Sequence, residues 1–265
     1  MALVPGTGPL RMNHLPFRIF FLGQCTAAGY GVGLDASYPQ VIWRLLRVRF
    51  PGLKFDVQVN PILHPTRMKE QTATCLKQRA DVIFLSLPGL YASIPMKVSR
   101  LYLQDPEIMS TARAFVRTIQ AKLPQDSSLA QLLNKRMALQ PTTVLPPLTI
   151  EEYERCITET VELCQTTSPC RVVLMGPGGY NHYSEDGNLN SQKLGADVNR
   201  MIRETAARMK VPFVDAWELM AEQSVDVYLP ATHRWSSAGH EIMAREIEHI
   251  IAGQLPMMAR MAGMK

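Results

Sequence analysis

Three short stretches hold the side chains that could do chemistry. The first, Gly23-Gln24-Cys25-Thr26, follows an apolar run and offers a thiol in a turn of small residues. A thiol in such a turn becomes a nucleophile once ionised, and a helix start just beyond it would lower its pKa toward a thiolate. The competing reading of Cys25 is a small buried hydrophobe. The second stretch, Tyr228-Leu-Pro-Ala-Thr-His-Arg-Trp-Ser-Ser-Ala-Gly-His240, carries two histidines. His233 sits in a polar loop ahead of the last helical pattern, where an imidazole of near-neutral pKa can take a proton from a nucleophile or simply face solvent. His240 falls inside that helical pattern and reads as packing or surface, and Trp235 either walls a pocket or covers the core. The third stretch, Gly176-Pro-Gly-Gly-Tyr-Asn-His-Tyr-Ser-Glu-Asp-Gly, lacks the spacing of a phosphate-cradling loop. Its His182, Glu185 and Asp186 have no metal-ligand spacing, so it reads as a solvated loop that can line a substrate. Neither a metal nor another cofactor is expected.

Composition narrows the class. With 265 residues, 46% of them hydrophobic, the chain can bury a full core as one domain. The 28 Lys and Arg exceed the 23 Asp and Glu by five, scattered and without aromatic interleaving, which argues against a nucleic-acid partner. Five irregularly spaced cysteines without a Cys-x-x-Cys pair suit reduced thiols in a reducing compartment. No run of about 18 apolar residues is present to span a bilayer, and residues 1–16 lack the apolar core of a signal peptide. The expectation is a cytoplasmic protein with a loose leader over 1–16 and one domain over 17–265.

The positioning elements follow from periodicity. Ile19 to Leu22 is a short buried strand ending at Gly23. Asp35, Ser37 and Pro39 open a helix whose apolar positions Val41, Ile42, Leu45, Leu46 and Val48 run to about Phe50, before Pro51-Gly52. Phe55 to Asn60 alternates and meets Pro61, the pattern of a strand near the sheet edge. His64-Pro65-Thr66 form its exit loop, a helix covers about Lys69 to Gln78, and Asp81 to Leu87 is the clearest buried strand. Residues 88–148 read as a helical insertion, with helices over about 107–123 and 128–139 and a closing Pro-rich tract over 140–147; it is either a lid or a remote stabilising element. Thr149 and Glu152 form a capping-box pair ahead of the stripe Ile150, Tyr153, Ile157, Val161 and Cys164, within or beside which Cys156 and Cys164 read as packing residues. A strand at Arg171–Met175 follows, then a helix with Leu194, Val198, Met201, Ile202 and Met209 inward, a strand over Val211 to Asp215, and a last helix from about Ser236 to a cap at Gly253. Strands alternating with helices predict an α/β fold with a parallel sheet covered on both faces.

Taken together, these segments resemble the SGNH (GDSL) hydrolase superfamily over residues 18–87 and 150–251. The strongest match is Phe21-Leu-Gly-Gln-Cys-Thr-Ala-Ala-Gly-Tyr-Gly-Val, similar to the family's first block. Arg171-Val-Val-Leu-Met-Gly-Pro, Pro212-Phe-Val-Asp215 and the His233–His240 loop resemble its later strands and terminal block. The resemblance implies a flavodoxin-like three-layer sandwich with a five-stranded parallel sheet, and an esterase, lipase or acyltransferase activity. It puts Cys25 where the family has its serine nucleophile and Gln24 where an aspartate precedes it. Pro65 falls at the glycine whose amide serves the oxyanion, Leu90 at the asparagine donor, and Pro230 at the aspartate of the Asp-x-x-His block, which retains His233. The interval from His233 to Gly239 is one residue longer than in the family. The implied enzyme is a cysteine-dependent acyl-transfer catalyst with Cys25 as nucleophile and His233 as base. Its substrate would be a small acyl compound such as an ester, a thioester carrier or another activated acyl group. Oxyanion or substrate contacts would come from the Cys25 amide and from Gln24, Gly89, Gly178, Tyr91 or Trp235. Asp215 and Asp226 are the carboxylates available to orient His233, although Asp215 at a strand end reads as structural. The alternative is a non-catalytic member that binds a small molecule or a protein in the old cleft.

Overall fold

The computed structural model describes residues 16–23, 26–29, 31–62, 64–92, 96–99, 142–167, 170–178, 189–223, 226–229 and 234–261. Five strands form one parallel sheet: β1 (Phe17–Gly23), β2 (Phe55–Pro61), β3 (Val82–Ser86), β6 (Arg171–Met175) and β7 (Phe213–Val214), in the order β2-β1-β3-β6-β7. This is the flavodoxin-like order, with the reversal between β1 and β3 where ligands collect. The apolar runs explain the burial on both faces. Ile19 and Phe21 of β1, Val82 and Phe84 of β3, and Val173 and Met175 of β6 enter one core; Phe20 and Leu22, Ile83 and Leu85, and Val172 and Leu174 enter the other. Edge strand β2 instead gives its apolar Phe55, Val57 and Val59 to the first core only, as its alternation predicts.

Helix α1 (Tyr38–Arg49) and the long C-terminal helix α6 (Ser237–Met261) cover the first face. Helices α2 (Met68–Lys77), α3 (Ile150–Thr167) and α4 (Leu189–Met209) cover the second, and α5 (Ala216–Ala221) follows β7. The capping box forms as read: Thr149 N–H donates to Glu152 Oε2 at 2.9 Å, and Glu152 N–H donates to Thr149 Oγ1 at 3.1 Å.

Three expectations change. Gly253 is not a cap: α6 continues to Met261, because Gly253 keeps a right-handed backbone at an exposed position where nothing forces the chain to turn. The tract over 140–147 is not merely a closing loop. Thr142–Leu145 (β5) pairs antiparallel with Met96–Ser99 (β4), since the β-branched Thr142, Thr143 and Val144 precede Pro146 and leave the ladder uninterrupted. Ser37 stands at the N-cap of α1, but its hydroxyl donates to Leu34 C=O at 2.6 Å and does not cap the helix. The two helices expected within 88–148 and residues 1–15 of the leader expected over 1–16 lie outside the described residues.

The first N–H of α1 finds its acceptor 202 residues away, where His240 Nδ1 accepts from Tyr38 N–H at 3.1 Å. The imidazole stacks on the Tyr38 ring at 6.0 Å and meets Trp235 edge-on at 5.6 Å, while Tyr38 meets Phe21 edge-on at 5.5 Å. One fully buried histidine thus joins both helices of the first face to β1. Since Nδ1 accepts, the ring is neutral with its proton on Nε2.

Two outcomes follow from these contacts. Thr149→Ala removes half of the capping box, and thermal unfolding of the variant is expected at a melting temperature lower by about 2–4 °C, corresponding to roughly 1 kcal/mol. Burial holds the His240 imidazole down to about 4, from an ordinary 6.5. Between those values the unfolded chain binds a proton that the folded chain refuses, so stability rises with pH there. The His240 contribution is complete above about pH 6.5 and is lost as pH falls toward 4, by on the order of 3 kcal/mol. Urea unfolding across this range should show that slope in the parent protein and a flatter one in His240→Gln, which keeps an acceptor but does not titrate.

Candidate functional site

The carboxyl ends of β1, β2, β3 and β6 and the Tyr228–Trp235 segment border one edge of the molecule. Gln24, Cys25 and His233 lie outside the described residues, so the frame around them defines the site. At the centre, Ile62 N–H donates to Gly23 C=O at 2.8 Å, which fastens the β2 exit to the end of β1. Tyr91, from the 3-10 turn Gly89–Ala92 after β3, donates its hydroxyl to Ile62 C=O at 2.7 Å. As β1 lies between β2 and β3, this bond spans the end of β1 at Gly23. Gly23 is confined by its neighbours, because a Cβ there would lie 3.0 Å from Ser86 Cβ and 3.1 Å from Ala27 Cβ.

Beyond Cys25 the chain does not enter a helix. Thr26–Gly29 is a turn closed by Gly29 N–H on Thr26 C=O at 3.0 Å, and Gly29 and Gly31 have φ of +72° and +98°. Left-handed glycines interrupt a right-handed helix, so α1 begins only at Tyr38 and does not follow directly on Cys25. The expected helix-start assistance to the thiol is therefore corrected. Gly31 serves another purpose: a methyl there would overlap Leu229 Cδ1 and lie 3.6 Å from Arg234 Cδ. Leu229 and Arg234 flank residues 230–233, and Leu229 N–H donates to Arg234 C=O at 2.8 Å beside the Tyr228–Trp235 bridge. The segment that follows Cys25 thus packs on both roots of the loop that contains His233.

The sequence-derived lining residues divide. Tyr91 is fully buried with its hydroxyl bonded to Ile62, so it is a strut between two exits and not a substrate contact. Trp235 is buried and lies against Gly178, where any side chain would overlap the indole; it covers the core beside Tyr38 and His240 instead of walling an open pocket. Gly178 C=O accepts from Tyr228 Oη at 2.5 Å, tying the β6 exit to the His233 loop. Gly89 is buried at the start of its turn beside β3.

The carboxylates are engaged elsewhere. Asp215 caps α5 by accepting Glu218 N–H at 3.0 Å, takes Asn199 Nδ2 at 3.1 Å and pairs with Arg203, the structural role its strand-end position suggested. Asp226 accepts Tyr228 N–H at 3.2 Å within its own loop. Among the described residues no group of three His, Cys, Asp or Glu could hold a metal ion; His182, Glu185 and Asp186 lie outside them.

Four of the five thiols are described and free. Burial pushes Cys75 up to about 11 and Cys164 up to about 12, raises Cys170 further and raises half-buried Cys156. None is a thiolate near neutral pH. Cys164 and Cys156 belong to the second core or pack against it, as the α3 stripe predicts.

One residue that the sequence left as loop stands out. His64, just past the end of β2, is only 3% exposed; its Nδ1 lies 2.9 Å from Thr66 Oγ1, its ring meets Tyr91 edge-on at 6.0 Å, and its Nε2 has no partner among the described residues. Burial lowers its pKa, so the ring is neutral. Periodicity carries no signal for such a residue, because its burial comes from α2, α3 and the β3 exit closing over a loop.

No protein-family model matches the sequence, and no curated protein does. Solved structures do. A lipase/acylhydrolase from Enterococcus faecalis superposes with a TM-score of 0.57 at 14% identity over 89% of this chain and 96% of its own. The acetyl xylan esterase AlAXEase gives 0.56 at 10% identity over 88% and 99%, and the acetylxylan esterase Axe2 from Geobacillus stearothermophilus 0.53 at 15% over 88% and 94%. Identities this low speak to architecture, and with the sheet order β2-β1-β3-β6-β7 they establish that the chain has the SGNH-hydrolase fold.

Proposed function

We propose that the protein is a cysteine-dependent acyl-transfer enzyme, a hydrolase or acyltransferase, with Cys25 as nucleophile and His233 as its base. The observation that carries this reading is the packing of Gly31 on Leu229 and Arg234, which couples the chain leaving the Cys25 turn to both roots of the His233 loop. Two features add support. The turn follows β1 at the sheet edge where the fold holds its chemistry, and the other four thiols have raised pKa values or lie in the core.

The thiol attacks the acyl carbonyl, His233 takes the thiol proton and passes it to the leaving group, and water or another acceptor removes the acyl group from sulfur. A thiol needs less help from a base than a hydroxyl, so a Cys-His pair tolerates a proline at 230 where an orienting aspartate would stand. Thioesters, including carrier-bound ones, suit this nucleophile because exchange between thiols is nearly isoenergetic. The free thiols favour a cytoplasmic setting, and among the described residues no helix is long and apolar enough to cross a membrane.

The second reading, a binding protein without covalent chemistry, is favoured by Pro65. It is buried in the exit turn of β2 and has no N–H to offer an oxyanion. Each missing oxyanion donor costs on the order of a hundredfold to a thousandfold in rate.

Intact-mass spectrometry after incubation with p-nitrophenyl acetate or an acetyl thioester is expected to show one acetyl adduct, absent in Cys25→Ala. Parent protein without an adduct would exclude the acyl-enzyme and leave the binding reading. Iodoacetamide labelling of Cys25 against pH should give an apparent pKa below about 8.5; an inert thiol would count against the nucleophile.

A further inference from the structure

We infer that the outer face of α1, with the turn that follows it, is a docking surface for an anionic lipid bilayer, which the protein meets peripherally. The inference does not depend on the Cys25 acyl-transfer reading.

The sequence supplies the charge. Between Asp35 and Asp56 it carries Arg44, Arg47, Arg49 and Lys54 and no acidic residue. The fold then decides which of these charges are compensated. Arg49 pairs with Glu248 of α6 at 3.1 Å. Arg44 gives its Nη1–H to Asp35 C=O at 2.8 Å, a neutral acceptor that leaves the charge in place. The Arg47 guanidinium lies over the Trp43 ring, 4.5 Å from its centroid, and that ring is anchored by Trp43 Nε1–H donating to Phe55 C=O at 3.3 Å. Among the described residues Arg44, Arg47 and Lys54 form no ion pair, whereas most arginines of the other helices do.

Apolar side chains project from the same end of the helix. Val48, one turn after Arg44, is 82% exposed, and Leu53, in a turn closed by its N–H on Phe50 C=O at 3.0 Å, is 39% exposed. They are two of the three large hydrophobic side chains exposed among the described residues, so the patch concentrates what the rest of the surface hides. Uncompensated basic groups beside projecting aliphatic ones suit an interfacial helix, which keeps its cations at the phosphate level while its apolar atoms enter the acyl boundary. Projection also decides between acidic partners. Val48 stands out from a convex helix, so a folded protein would need a matching pocket, while a bilayer yields around it. A nucleic acid offers no apolar layer, and the Trp43 ring that could stack on a base is already covered by Arg47.

The placement leaves the ligand edge free of the membrane. Helix α1 runs back from the carboxyl end of β1 and finishes just before Phe55 at the start of β2, so the surface lies at the amino edge of the sheet. The carboxyl edge at Gly23 and Ile62 then faces away from the lipid. Anionic lipid is a feature of the cytoplasmic leaflet, in keeping with the cytoplasmic setting proposed above.

The test is sedimentation of the full chain with sucrose-loaded vesicles of phosphatidylcholine alone or of equal parts phosphatidylcholine and phosphatidylglycerol. The parent protein is expected to sediment with the anionic vesicles only, and less so as salt is raised. Each basic group near the surface is worth about fivefold in partitioning, so Arg44→Gln, Arg47→Gln and Lys54→Gln together should weaken binding by about a hundredfold. Arg44→Lys with Arg47→Lys, which keeps the charge, should retain it. Val48→Ser should cost about tenfold through lost apolar burial. The substituted side chains face solvent, so the melting temperature of each variant should match the parent's. Absence of binding to anionic vesicles, equal binding to neutral ones, or full affinity in the triple variant would overturn the surface. Loss in the triple variant with Val48→Ser unchanged would overturn the bilayer as its occupant and favour an acidic macromolecule held by charge alone.

Discussion

The hydrogen bond from Tyr38 N–H to His240 Nδ1 is the constraint on which the rest of the architecture depends. It replaces an ordinary side-chain cap at the start of α1 with a contact from the other end of the chain, and so fixes α6 against α1 in one register. Trp235, two residues before α6 begins, meets His240 edge-on and seals Gly178 at the β6 exit. The Tyr228–Trp235 bridge then sets where residues 230–233 leave the core. A buried, neutral imidazole suits this task because it accepts from the backbone while its flat ring packs as an aromatic.

A second bracket, on the opposite face, is built differently. Tyr91 reaches across the end of β1 to Ile62, and His64 packs against it. Strand β1 ends at Gly23 between the two assemblies. The glycines that follow, at 29 and 31, let the backbone pass close to Leu229 and Arg234, a route no helix could take. The same glycines keep α1 from following directly on Cys25.

In the proposed acyl-transfer reading, the proline at 65, the leucine at 90 and the thiol at 25 are parts of one physical pattern. A sulfur nucleophile relaxes the demand for a strong base and an orienting carboxylate, and the two candidate carboxylates, Asp215 and Asp226, are engaged in capping and turn formation. It does not relax the demand for stabilising negative charge on the acyl oxygen.

Much was settled by the sequence itself. Doubly apolar runs in β1, β3 and β6, the one-sided alternation of β2, and the Thr149–Glu152 box specify their elements because each depends on neighbours one to four residues away. These local patterns were enough to read the parallel sheet and its helical cover on both faces. Tertiary structure alone decided the roles of His240, His64, Tyr91 and Trp235. A histidine at a helix start reads the same whether it faces solvent or caps a distant helix, and a tyrosine hydroxyl reads the same whether it meets substrate or a carbonyl. Only the closing of helices over both faces of the sheet excludes water and assigns each of these polar atoms a partner, or leaves it without one.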